Sequence, residues 1–134
     1  MAASIPFRAS PALVVALLVT GCGSPFDPGR TITLPITTVD APAAVNAGDG
    51  VVVRVTVESG GCRVFQGVQA QRAPGRLTLT ARGHDSSGPR VSCPADIRSD
   101  VREIRIEPPL ADPFIVAARQ PDGSETTRTI RVFQ

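Results

Sequence analysis

The 134-residue chain has no lysine, tryptophan or tyrosine, and His84 is its only histidine. Sugar-binding faces usually stack rings on aromatic side chains, so the lack of Trp and Tyr argues against such a face. With one His and no Cys-x-x-Cys pair, the chain has too few ligands for a metal site. Its 14 basic residues are all arginine, form no cluster and nearly balance 12 acidic residues. The charge therefore implies no nucleic-acid partner.

The sequence also lacks a recognisable catalytic constellation. His84, Asp85 and Ser86 are the residue types of a hydrolase triad, but they are consecutive. A triad is assembled from separate elements, so we expect these three to be loop residues. Four further acidic residues spread over a loop and a strand, where a solvated face is the ordinary explanation: Asp96, Asp100, Glu103 and Glu107. We predict no catalytic residue, no cofactor and no metal, and hence no enzyme.

The N-terminus carries the pattern of an export signal. Arg8 precedes an uncharged apolar run at residues 12–19, which is followed by small residues. This is the tripartite arrangement of a secretory signal, and the run is about half of the ~18 to 20 residues that would span a bilayer. The segment that ends the signal is Val19-Thr20-Gly21-Cys22. It resembles the lipobox of bacterial lipoproteins.

That resemblance implies cleavage before Cys22, a diacylglycerol on its sulfur and often acylation of the new amine. Two or three acyl chains on the N-terminal residue give stable membrane anchoring. Within the resemblance, Gly23 after the cysteine implies sorting to the outer membrane in a Gram-negative host. An ordinary signal peptide that ends near a cysteine is the alternative. The chain then divides into a signal peptide at 1–21, a lipidated cysteine and spacer at 22–30, and a domain outside the cytoplasm at 31–134.

From residue 31 onward almost every segment alternates with period two. Residues 31–39 contain Pro35, which cannot donate to a ladder, so this strand belongs at a sheet edge. Residues 51–58 place four valines on one face, so this strand is expected to be central with that face in the core. Further strands are expected at 63–72, 76–82, near Val91, 101–107, 114–119 and 126–133, with 83–90 as a long loop.

No helical stripe occurs in the mature chain, and seven or eight short strands predict a single antiparallel β-sandwich. A small closed β-barrel is the competing architecture. Residues 41–48, ahead of the valine-rich strand, and the closing hairpin with its Asp122-Gly123 turn resemble bacterial immunoglobulin-like domains. The resemblance implies an immunoglobulin-like sandwich over residues 31–134.

Two cysteines remain after Cys22, and they lie outside the cytosol if the signal operates. A disulfide between Cys62 and Cys93 is therefore the default expectation. Closing a loop of about 30 residues would contribute roughly 3 to 4 kcal/mol.

Two functional classes remain open. The first is a structural or protein-interaction module, tethered to the membrane through Cys22, that docks to an envelope protein or wall component by a sheet edge or loop. The second is a small-ligand or carbohydrate-binding lipoprotein. A solvent-facing Phe65 beside Gly60 and Gly61 would favour the second class, and a core position would count against it.

Overall fold

A computed structural model describes residues 29–134, so the predictions for the signal peptide, the spacer and Cys22 lie outside the described residues. Nine β-strands and no helix form in this part of the chain. The strands are β1 (Arg30–Leu34), β2 (Ile36–Asp40), β3 (Ala44–Asn46), β4 (Val51–Ser59), β5 (Arg63–Ala73), β6 (Arg76–Asp85), β7 (Arg98–Ile106), β8 (Phe114–Arg119) and β9 (Glu125–Phe133).

The strands form two sheets that pack face to face as a β-sandwich. One sheet has the order β2-β4-β7. In the other, β6 pairs with β5 along one side and with both β1 and β8 along the other, and the sheet continues through β9 to β3. The predicted all-β sandwich is confirmed, and the strands do not close into a barrel. The strands number one or two more than expected, and the pairs β3–β9 and β6–β8 are parallel.

Pro35 separates β1 from β2 and sends them to different sheets. β1 pairs with the end of β6, whereas β2 pairs with β4. Proline has no backbone N–H and cannot continue a ladder as a donor, which makes it a natural point for a strand to change sheets. β1 and β2 each have a single strand partner, so the predicted edge position is confirmed in both sheets.

The core lies between the sheets and is built from alternate strand residues. On β4 the four valines at 51, 53, 55 and 57 are fully buried, while Val52 and Arg54 face solvent. β4 lies between β2 and β7, so its predicted central position is confirmed. The facing sheet contributes Leu77, Leu79, Ala81, Phe114, Val116, Ala118, Ile130 and Val132. Phe114 is the largest of the fully buried side chains.

The β5–β6 hairpin turns at Pro74 and Gly75, where Gly75 has φ of +70°. β6 continues to Asp85, so the predicted loop at 83–90 is wrong at its start: His84 and Asp85 are strand residues. The reason is tertiary, because β1 and β5 pair with this end of β6 from opposite sides. The expected strand near Val91 does not form, since residues 86–97 have no strand partner.

The C-terminal strands follow the sequence pattern closely. β8 has the predicted bounds, and β9 begins one residue earlier than expected. Between them Gly123 has φ of +85° and donates its N–H to the Gln120 carbonyl at 3.0 Å, as the predicted turn requires. β7 begins at Arg98, ahead of the expected start at Val101. The short strand β3 was not predicted.

Candidate functional site

A disulfide and several hydrogen bonds fasten one end of the sandwich. Cys62 and Cys93 are joined with their Cα atoms 5.0 Å apart, so the predicted bond is present in the structure. The Ser86 N–H donates to the Cys62 carbonyl at 3.0 Å. The Gly61 N–H donates to the carbonyl and to Oδ1 of Asp96 at 3.1 and 3.0 Å. The loop at 86–97 is thereby held at both ends against the turn between β4 and β5.

This close approach depends on glycine at the turn. Gly60 has φ of +127°, and a Cβ added there would lie 2.1 Å from the carbonyl oxygen of Asp96. Gly61 also has positive φ, at +63°. Residues with a Cβ rarely adopt such backbone angles. The glycine pair therefore allows the disulfide-bonded loop to lie directly on the turn.

A cleft of about 420 Å³ opens between this turn and the loop. Its polar side chains include two carboxylates that the fold already uses. Hydrogen bonds from the Gly61 amide, followed by those from Arg98, hold the pKa of Asp96 below its ordinary value. Such a carboxylate stays ionised and is committed to holding the loop. It does not have the raised pKa that a general acid needs near neutral pH.

Asp85 is the second of these carboxylates and is only 5% exposed. Its Oδ1 accepts the Ser87 N–H at 2.9 Å and its Oδ2 accepts from Nη2 of Arg30 at 3.2 Å. The hydrogen bonds from Ser87, with a smaller contribution from Arg30, lower the pKa of Asp85 to about 2. Asp85 thus joins the end of β6 to the beginning of β1.

The structure does not bring His84, Asp85 and Ser86 together as a triad. Successive strand residues point to opposite faces, so His84 and Asp85 face away from each other. His84 lies instead close to Gly29, just before β1: a Cβ added to Gly29 would be 2.3 Å from the His84 Nε2 atom. Within residues 29–134 no group of three or more His, Cys, Asp or Glu side chains is arranged to hold a metal ion.

Two further acidic residues, Asp100 and Glu103, form separate ion pairs on the surface. Glu103 accepts from Arg54 at 2.6 Å, and Asp100 lies 3.9 Å from Arg102. Both carboxylates are on β7, so neither faces the other across a cleft. Glu103 thus lies on the solvated face expected from the sequence, whereas Asp96, which was expected there as well, lines the cleft.

A second cleft, of about 600 Å³, lies at the opposite end of the sandwich. Arg72 crosses it and donates to the carbonyls of Glu107 and Pro109 at 2.6 and 2.5 Å. Its guanidinium carbon is 6.0 Å from the centre of the Phe114 ring. The rest of the lining is Ala73, Pro74, Gly75, Leu110 and Ala111. The cleft contains no nucleophile or titratable group besides this arginine.

Phe65 does not offer a free ring to a ligand. The residue is half-buried and packs against the hydrophobic core. The guanidinium carbon of Arg102 lies 4.8 Å from its ring centre and covers the ring from the opposite sheet. Phe65 is therefore not the solvent-facing ring that would have favoured a carbohydrate-binding face.

The sheet edges differ greatly in how open they are to another strand. β3 has three residues, β1 and β2 have five each and meet at Pro35, and β7 alternates acidic and basic residues. β5 has eleven residues and pairs only with β6. Residues 64–71 of β5 are uncharged. Charge, proline and short length are the usual protections of a sheet edge, so β5 is the least protected edge of residues 29–134.

Sequence reasoning did not single out β5 as an edge, although the uncharged run at 64–71 was visible. Its position depends on which strands pair with β6, and those pairings join residues up to 55 positions apart. The local pattern gives the strand but not its neighbours. The open edge therefore becomes apparent only in the folded chain.

Comparison with known proteins gives no relative for this chain. It matches no family model, no curated protein and no solved structure. Residues 29–134 contain no helix of the length and apolar character needed to cross a membrane.

Proposed function

We propose that this protein is a lipid-tethered interaction module of the cell envelope, which binds another envelope component through a sheet edge and catalyses nothing. The observation that carries the proposal is the long edge strand β5, which is uncharged over residues 64–71 and has one side of its backbone unpaired within residues 29–134. An exposed strand of this kind is a ready template for adding a strand from a partner.

The tether in this proposal is Cys22, on the strength of the lipobox-like segment that ends at this residue. A lipid anchor confines the domain to a membrane surface, where a partner of modest affinity is met at high local concentration. The proposed location is the outside of the cytoplasmic membrane or, in a Gram-negative host, the outer membrane.

The test is site-specific photo-cross-linking in cells. A photo-reactive phenylalanine analogue is placed at Gln69 on β5 or, as the matched control, at Arg105 on β7; both residues are exposed. We expect one envelope protein, identified by mass spectrometry, to be captured from Gln69 and not from Arg105. The Cys22→Ser form should lose this capture, because the protein no longer resides at the membrane.

The outcomes separate the functional classes. Capture of glycan fragments would favour the carrier alternative. Turnover of a substrate by the purified protein, lost in the His84→Ala or Asp85→Ala variants, would overturn both classes. If neither position captures anything above the level of an unmodified control, the interaction proposal fails.

A further inference from the structure

The β5–β6 hairpin carries an excess of positive charge along its open edge. Residues 63–85 contain four arginines and one acidic residue. That acidic residue, Asp85, is bonded to Arg30 on β1. Arg63, Arg72 and Arg82 form no ion pair with any residue of the described chain. The fold leaves these three positive charges without a negative partner.

Two of the uncompensated charges, Arg63 and Arg72, lie toward the ends of β5, and the third, Arg82, lies on the neighbouring strand β6. Arg63 begins the strand and is exposed. Arg82 lies beside Gly67 in the ladder and donates from Nε to Oε1 of Gln69 at 2.9 Å. Arg72, near the hairpin turn, donates only to backbone carbonyls, and neutral acceptors leave its charge in place.

Between Arg63 and Arg72, β5 carries no charge. The ladder with β6 has a bulge between Phe65 and Gly67, beyond which the register runs without a break from Gly67 to Ala73. A bulge interrupts pairing locally. The stretch at 67–73 is therefore the part of the edge that can pair continuously with another strand.

We infer that this edge accepts an extended segment of a partner protein with an uncharged, β-prone centre and an acidic residue at each end. The inference rests on the proposed function and adds the chemistry of the partner. A second copy of this chain is the less favourable occupant, because its own β5 carries arginines and no acidic residue. Acidic ends would instead complement Arg72 at the turn and Arg63 and Arg82 near the bulge.

The probe is a fluorescent synthetic peptide of about nine residues, long enough to cover the regular stretch at ~3.3 Å per residue. It has alternating valine and threonine in the centre and glutamate at each end. A second peptide has lysine at each end. Two further versions of the glutamate peptide are N-methylated at alternate residues. In the first version the N–H donors along one edge of the peptide strand are blocked, and in the second version those along the other edge are blocked.

Binding to the full purified chain is measured by fluorescence anisotropy at low salt, with hydrogen exchange of the β5 amides as the second readout. We expect the glutamate peptide to bind more tightly than the lysine peptide and to slow exchange in β5 but not in β7. One N-methylated version should bind at least about 10-fold more weakly and the other should be unaffected, because only one edge of a strand faces β5.

Charge reversal tests the arginines without altering the core. Arg63→Glu and Arg82→Glu should each weaken the glutamate peptide about 2- to 5-fold and strengthen the lysine peptide, as expected for exposed ion pairs. Arg105→Glu makes the same change on β7, where Arg105 forms no ion pair within residues 29–134, and should leave both affinities unchanged.

Several results would overturn the inference. These are equal effects of the two N-methylated versions, protection of β7 in place of β5, binding of neither peptide, or sedimentation showing a dimer that buries β5. Cross-linking of an envelope protein from Gln69 that is unaffected by Arg63→Glu and Arg82→Glu would leave the interaction module standing and refute the acidic ends of the partner segment. The two proposals thus fail by different observations.

Discussion

The disulfide between Cys62 and Cys93 should account for a large part of the stability of the domain. The perturbation is the double substitution Cys62→Ser with Cys93→Ser, made in a Cys22→Ser background so that no other thiol remains. The bond closes a loop with a sequence separation of 31. Most of residues 86–97 are exposed, so their native contacts contribute little and the main effect is on the unfolded chain.

The magnitude follows from the entropy of loop closure. For a sequence separation of 31, the chain-entropy model gives a decrease of about 12 cal/mol/K in the entropy of the unfolded chain. This corresponds to about 3.7 kcal/mol of stabilisation at 25 °C. The net free energy of unfolding of a domain this size is only about 5 to 15 kcal/mol. We therefore expect the double variant to lose a quarter or more of its stability, and its melting temperature to fall by on the order of 15 to 25 °C.

The assay is urea unfolding followed by circular dichroism, with the single Cys22→Ser protein as reference. The reference protein measured in reductant should coincide with the double variant, which serves as the internal control. A difference below about 1 kcal/mol between the oxidised reference and the double variant would refute the reasoning. It would mean that the Gly61 and Asp96 hydrogen bonds alone order the loop.

Four further predictions concern the core, pH, the turn and the anchor. Val55→Ala should cost about 2 to 3 kcal/mol by urea unfolding, because Val55 is fully buried, whereas Val52→Ala on the same strand should change stability by less than about 0.5 kcal/mol. The pKa of Asp85 is lowered to about 2, so the stability that its ionised form contributes is present above about pH 4 and is lost as the pH falls toward 2. The difference in free energy of unfolding between wild type and Asp85→Asn, measured by urea titration, should therefore shrink over that window. A difference that stays constant with pH would contradict this. Gly60→Ala should lower the melting temperature because its Cβ would meet the Asp96 carbonyl, and an unchanged thermal scan would count against that contact. Labelling with a palmitate analogue should mark the wild-type protein and not Cys22→Ser, and equal labelling of the two would remove the proposed tether.

Local alternation was sufficient to predict the strands that fill the core. β4 is found where its alternation of buried and exposed residues places it, and β8 is found at a short apolar run that is buried on both faces. The turn at Gly123 was also predictable, since proline and glycine specify it locally. The sandwich follows from the number and spacing of these elements.

The errors occurred where pairing over long distances decides the structure. The end of β6 looks like a loop in the sequence, yet Gly83 is buried there, and a Cβ at this position would lie 2.6 Å from Cδ1 of Leu34 on β1. A glycine inside a strand indicates close approach of another strand, whereas the sequence pattern predicted a loop that begins at Gly83. β3 has three residues and pairs in parallel with β9, so it leaves no periodic trace.

The topology also relates the proposed tether to the open edge. Arg30 begins β1 and Arg63 begins β5, and both lie opposite Asp85 in their ladders with β6. The domain is therefore entered at the end of the sandwich where β5 starts, and the eleven residues of β5 extend about 35 Å from that end. The regular stretch at 67–73 lies farther along β5, toward the opposite end of the sandwich. A partner strand can pair along residues 67–73 without displacing the disulfide-bonded loop, which lies at the end of the sandwich where β1 and β5 begin.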